Sequence, residues 1–177
     1  MKSSFIIIML SIVLYSCKKS DTPSGSGTVT INNTLEGNDQ TGYYSFGFLF
    51  SLAKKVSTTE VPGPDVLVYV NPGTSPASLT LQANNLNPSF YKIGDYSDAQ
   101  SATTAFNGLK TVGTYNWVEM ADPIANNQVW VYRTGTSCYA KIRIISAVID
   151  NTKNPIYGEC TFEWVYQPDG STTFPAK

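Results

Sequence analysis

From residue 28 onward, short apolar or alternating runs are separated by clusters of turn residues, the period-two signature of half-buried strands. Residues 28–32, 43–52, 66–70, 78–82, 89–93, 115–119, 128–133, 138–149 and 159–167 read as strands. Between them lie breakers such as Pro62-Gly63-Pro64, Asn71-Pro72-Gly73 and the stretch 84–88 (NNLNP). One segment departs from the pattern. Ser97 precedes 98–109 (DAQSATTAFNGL), where Ser97 caps a short helix and Asp98 sits at its positive end, although Thr103, Thr104 and Gly108 are weak helix formers. No internal repeat interrupts this reading. The expectation is an all-β fold: one domain over 28–177, built of antiparallel sheets with hairpins and one short helix.

The C-terminal third predicts a register. Thr134-Gly135-Thr136-Ser137 offers a two-residue Gly-Thr turn with glycine first, the type II′ pattern. Closing there pairs Val131 with Ala140 and Val129 with Ile142, and puts Trp130, Tyr132, Tyr139, Lys141 and Arg143 on the opposite face. The turn residues 151–155 (NTKNP) then bring Ile144 to Phe162 and Ile142 to Trp164. The predicted inner face is Val129, Val131, Ala140, Ile142, Ile144, Phe162 and Trp164. Two roles stay open for Trp130, Tyr132 and Tyr139: a second core face under another layer, or a platform facing a ligand. In this register Cys160 lies opposite Ser146, more than about 20 Å along the strand from Cys138, whereas a disulfide needs Cα atoms within about 7 Å. Either both are buried free thiols, or another register brings them together.

The amino-terminal residues change the picture from a fold to an address. Met1-Lys2-Ser3-Ser4 carries one positive side chain, and 5–14 (FIIIMLSIVL) is an apolar run too short for a bilayer, which needs about 20 residues. Leu14-Tyr15-Ser16-Cys17 follows, and a leucine three residues before a cysteine resembles the lipobox of bacterial lipoproteins. That resemblance implies cleavage after residue 16 and acylation of Cys17, and two or more acyl chains anchor stably at about 0.8 kcal/mol per buried CH₂. Residues 1–16 are then a signal peptide and 17–27 a lipidated tether rich in Ser, Gly and Pro. The expected location is the outer membrane, lipid-anchored, with the periplasmic and cell-surface faces both open. An acidic run after the cysteine would favour the surface, and Asp21 stands alone.

Composition narrows the chemistry. Charged residues make up only 14%, aromatics reach 12%, and histidine is absent. Without histidine there is no Ser-His-Asp or Cys-His unit and no imidazole ligand for zinc or haem. A net charge of −1 gives no footprint for phosphate backbones, so nucleic acid is not an expected partner. A glycosidase would need two carboxyls about 5–9 Å apart. The nearest pairs, Glu119 with Asp122 and Asp95 with Asp98, sit beside turns and match no motif. Neither a calcium-loop spacing nor a glycine-rich phosphate loop is present. The chain reads as a binding protein and not an enzyme.

Four segments carry a family resemblance: Tyr43-Tyr44-Ser45-Phe46, then 129–133 (VWVYR) before a glycine turn, then 139–144 (YAKIRI), then 162–170 (FEWVYQPDG). Their order is similar to that of the HmuY-like haem-binding lipoproteins of Bacteroidetes-type bacteria. The resemblance covers about the last 50 residues well and the first half loosely. It implies an all-β, hand-shaped domain that takes haem or a related apolar ligand at its loop tips, with an outer-membrane receptor as partner. It also implies an iron held by paired His or, in relatives, by Met. This chain has no His, and Met120 is the sole Met beyond the signal peptide, so neither pair can form in one molecule. Met120 with a tyrosine is the remaining axial set, and the competing role for Met120 is packing against Trp117. Haem is thus one candidate ligand, with Tyr43, Tyr44, Tyr96 and Trp117 as a stacking platform and Met120 beside it. A glycan-binding or pilus-associated adhesion module would use the same aromatics. A structural envelope protein would use them only as core.

Overall fold

A computed structural model describes residues 25–38, 42–84 and 87–175. The signal peptide, Cys17 and the tether as far as residue 24 lie outside the described residues. The chain is an all-β sandwich. Its first sheet holds β1 (Ser26–Asn32), β12 (Tyr157–Gln167), β11 (Tyr139–Asp150), β10 (Gln128–Arg133) and β8 (Phe90–Asp95), in that order. Its second sheet runs β5 (Lys54–Ser57), β4 (Phe46–Leu49), β6 (Val66–Asn71), β7 (Ser78–Ala83) and β9 (Met120–Ala121). A small ribbon pairs β2 (Glu36–Asn38) with β3 (Gly42–Tyr44). Every pairing is antiparallel.

Alternation along the strands builds the core. Val66, Val68 and Val70 of β6 and Leu79, Leu81 and Ala83 of β7 face Ile142, Ile144, Phe162 and Trp164 of the first sheet. All are buried, and a fully buried side chain of this kind contributes about 1.5–3 kcal/mol. Expected and observed strands coincide closely from β6 to β8 and from β10 to β12. The first strand begins at Ser26, inside the expected tether. The short polar strands β2 and β5 were not expected, and residues 50–52 of the expected strand 43–52 form a 3₁₀ turn instead. Residues 115–119 make only one isolated bridge, Val118 to Phe90.

The β11–β12 register matches expectation: Ile142 pairs with Trp164 and Ile144 with Phe162. The β10–β11 hairpin does not. Its loop is Gly135-Thr136-Ser137, with Ser137 in the left-handed region at φ 62°, Thr134 N donating to Cys138 O and Ser137 N to Thr134 O. This is the three-residue, bulged form of a hairpin. Trp130 consequently faces Ile142 and Tyr132 faces Ala140. One residue of slip turns the whole strand over. Trp130 and Tyr132 therefore enter the sandwich core, and Val129 leaves for the opposite face, where it packs with Val165 and Phe106. A second irregularity between Ile144 and Ser146 sets Cys160 opposite Ala147 and not Ser146. Cys160 is a buried free thiol, so the two strand cysteines are not bridged to each other, and burial pushes its pKa well up.

The helix α1 (Ala99–Gly108) covers the outer face of the first sheet. Its N-cap is Asp98, one residue beyond Ser97, whose Oδ1 accepts from Ser101 N at 2.8 Å. Lys141 closes the other end from beneath. Its Nζ donates to the carbonyls of Phe106 at 2.9 Å and Leu109 at 3.0 Å, where a cation meets the negative helix terminus. The same face carries the cross-strand pair Arg143–Glu163, 2.7 Å apart and largely shielded from water.

Gly47 decides how the second sheet opens. A Cβ there would lie 2.3 Å from Val66 O, 2.6 Å from Pro64 Cβ and 2.8 Å from Leu67 Cδ2. Only glycine lets β4 cross β6 at this distance. Gly47→Ala is expected to lose about 2–3 kcal/mol through overpacking against backbone. Gly108→Ala, where nothing lies within 4 Å, should gain up to about 1 kcal/mol from helix propensity. Urea unfolding midpoints of the two variants would show opposite shifts.

Candidate functional site

Past Gly47 the second sheet splits. β4 pairs with β5 along its whole length, but meets β6 only at Phe48 opposite Val66. From Leu67 to Asn71, β6 is paired with β7 alone among the described residues. The opening is a cleft of about 620 Å³, lined by Leu67, Val68, Tyr69 and Val70 on one side and by Leu35, Pro155 and Ile156 on another. A second hollow of about 530 Å³ includes Tyr43, Lys153 and Tyr157. Both hollows share Asn33, Leu35, Pro155 and Ile156, which makes them two lobes of one groove at the end of the sandwich.

The shared wall is fixed by Asn33, just past β1. Its Nδ2 donates to Ile156 O at 2.8 Å, its Oδ1 accepts from Gly158 N at 2.8 Å, and its backbone N donates to Gly158 O at 3.0 Å. Gly158 itself is obligatory beneath this wall, since a Cβ would lie 2.3 Å from Val70 Cγ2. The lining is apolar, with Leu35 at 58%, Tyr43 at 64% and Tyr69 at 47% exposure offering open faces. Lys153 is the single charged residue on either lobe, and no carboxylate lines them. Tyr157 directs its hydroxyl to Glu159 Oε2 at 2.6 Å, which raises its pKa.

The five residues expected to form one ligand platform are not gathered. Tyr43 alone lines the groove. Tyr44 packs edge-on against Phe46, with centroids 5.8 Å apart. Tyr96 belongs to the cluster under α1, beside Phe106 and Val129. Trp117 stands in an aromatic row with Tyr115 and Tyr139, under the Arg133 guanidinium at 4.7 Å, and Tyr115 in turn stacks on Tyr91 at 4.0 Å. Of the three residues left open between core and platform, Trp130 and Tyr132 are sandwich core, and Tyr139 joins this row. Met120 lies in β9 beside a separate hollow of about 350 Å³, with Tyr91, Lys92, Asp122 and Trp130.

The groove therefore offers room for a flat apolar ligand but no sulfur or imidazole donor, and Met120 is not on it. A haem-iron ligand set of the kind the resemblance implies does not fit these lining residues. The acidic pairs are likewise engaged elsewhere. Asp95 accepts from Lys92 and Gln128, which hold its carboxyl below the usual range, and Asp98 caps the helix. Asp122 accepts from Thr80 Oγ1 at 2.8 Å. Among the described residues, no three Cys, Asp or Glu side chains converge as a metal site would need.

Sequence reasoning missed Leu35, Leu67, Tyr69, Lys153 and Ile156. Leu35 and Ile156 are isolated apolar residues in polar turns, and Leu67 and Tyr69 sit on the outward parity of a strand whose inward parity is core. The one available signal was the turn residues around them, Pro72 and Pro155. Comparison with known proteins adds no assignment: no family model matches the chain, and no curated protein does.

Proposed function

We propose that this chain is a non-catalytic, lipid-anchored binding module of the cell envelope, and that it binds through the groove where β4 leaves β6. The groove itself carries this reading. It is apolar, walled by a strand, a pinned loop and a proline turn, and each lobe falls within the roughly 300–1,000 Å³ typical of ligand sites. The apolar run 5–14 followed by Leu14-Tyr15-Ser16-Cys17 supports the anchor and an outer-membrane setting. A glycan reading has one observation in its favour, the half-exposed row of Tyr115, Trp117 and Tyr139. The rings of Tyr91 and Tyr115 cover each other, however, which leaves fewer free faces for a sugar.

The test is a titration of the purified chain with 1-anilinonaphthalene-8-sulfonate. Saturable, stoichiometric fluorescence is expected, weakened at least about tenfold by Leu35→Glu, since burying an unpaired carboxylate against the ligand is costly. Leu35 is exposed, so the variant should keep the parent's unfolding midpoint. Haemin added to the same samples separates the sites. A Soret shift that survives Leu35→Glu but vanishes in Met120→Ala would move the site to the Met120 hollow and overturn the groove assignment.

A further inference from the structure

Along Leu67–Asn71, alternate residues turn their N–H and C=O groups toward β7, and the residues between turn theirs to the side β4 has left. No strand is paired to that side among the described residues. Open edges of this kind are normally blunted by charge, proline or cover. The outer strand β5 follows that rule with Lys54 and Lys55 at its start, and β8 is covered in part by the bridge from Val118 to Phe90. The β6 edge carries no charge. It is flanked by Val68 and Val70, which are 7% and 6% exposed, and it forms a wall of the apolar lobe. Backbone groups in such surroundings call for a partner that brings donors and acceptors of its own, which a purely apolar ligand does not.

Charge points to one end of that partner. Lys153 is the lone charged residue of the groove, and its ammonium enters none of the ion pairs among the described residues. The nearby acid whose carboxyl feels its charge, Asp150, is not on the groove lining and is held by Thr152. We infer that the groove takes an extended peptide segment, added as a strand to the free edge of β6 and carrying a carboxylate toward Lys153. The inference rests on the groove being the binding site, and it names the class of occupant. Five strand residues at about 3.3 Å each give a match for a peptide of about five or six residues, apolar at alternate positions. Ladder hydrogen bonds would hold it, and the apolar lobe would select its side chains.

The probe is a fluorescein-labelled Thr-Val-Thr-Val-Thr-Val peptide with a free carboxyl terminus, titrated against the full chain by fluorescence anisotropy. Saturable binding is expected, with slowed amide hydrogen exchange at residues 67–71. Methylating alternate peptide nitrogens should weaken binding at least about tenfold, because each ladder bond lost is worth about a factor of five. Amidating the terminus, or Lys153→Gln at an exposed turn, should weaken it several-fold. If the naphthalene probe binds and Leu35→Glu removes it while the peptide gives no signal, strand addition is overturned and the groove reading stands. If neither binds, both fail. Equal binding of the methylated and unmethylated peptides would also overturn strand addition, since side chains alone would then hold it.

Discussion

Phe50→Ala is expected to destabilise the fold by about 3–5 kcal/mol, the range for truncating a fully packed aromatic. Phe50 is 1% exposed and sits in the 3₁₀ turn after β4. Its ring meets those of Phe48, Tyr132, Phe162, Trp164 and Tyr166, so both sheets converge on it. Truncation would leave a void bounded by five aromatic side chains that are themselves fixed by neighbours, with little freedom to collapse inward. Such a loss is a large part of the 5–15 kcal/mol that holds a domain together. Phe50→Leu, which keeps most of the volume, should lose less than half as much. Denaturant unfolding of the three proteins would check this, and equal losses for Leu and Ala would mean that volume is not what Phe50 supplies.

The second large effect depends on pH. Asp65 sits beside this aromatic cluster. Its Oδ2 accepts from Phe50 N at 2.9 Å, and its backbone carbonyl accepts from the Tyr132 hydroxyl at 3.0 Å. Burial raises its pKa from 3.8 to about 6, against the opposing pull of the Phe50 hydrogen bond. The folded state therefore binds this proton more tightly than the unfolded chain does. The protein is most stable with Asp65 protonated, below about pH 4, and loses that advantage as pH rises toward 6 and above. At about 1.4 kcal/mol per pKa unit, the loss is on the order of 3 kcal/mol. Asp98 and Asp150 act in the opposite sense: hydrogen bonds lower their pKa, so their contribution is present above 3.8 and lost on acidification, and exposure keeps it small. With no histidine in the chain, little else with an ordinary pKa titrates between 5 and 8. Asp65→Asn retains an acceptor for Phe50 N and removes the charge. It is expected to flatten stability between pH 4 and 7 and to exceed the parent above pH 6, as thermal midpoints across that range would show.

The fold was legible where alternation is strong and turns are short. In β11 and β12 the parity of Ile142, Ile144, Phe162 and Trp164 forces one pairing, and the sheet adopts it. The preceding hairpin escaped because Ser137, not a glycine, takes the left-handed position, and nothing in Thr-Gly-Thr-Ser distinguishes a two-residue loop from a three-residue one. That single residue decides whether Trp130 is core or surface. The β2 and β5 strands carry too few apolar residues to announce themselves, and their pairing is set by neighbours. The groove was illegible for a deeper reason. It arises from a strand that stops pairing beyond the close approach of Gly47 to Val66, and long-range contacts of that kind leave no periodicity in the sequence.

β1 joins the two ends of the sandwich. It starts at Ser26 opposite Val165 and, after seven residues, reaches Asn32, next to the Asn33 that pins the groove wall. At about 3.4 Å per residue the point of chain entry and the groove lie roughly 20 Å apart. An anchor upstream of Ser26 would be separated from the groove by the length of β1. Tension between that anchor and anything gripped in the groove would then run along β1. Its seven pairs with β12 would bear the load together, in shear, instead of parting one after another.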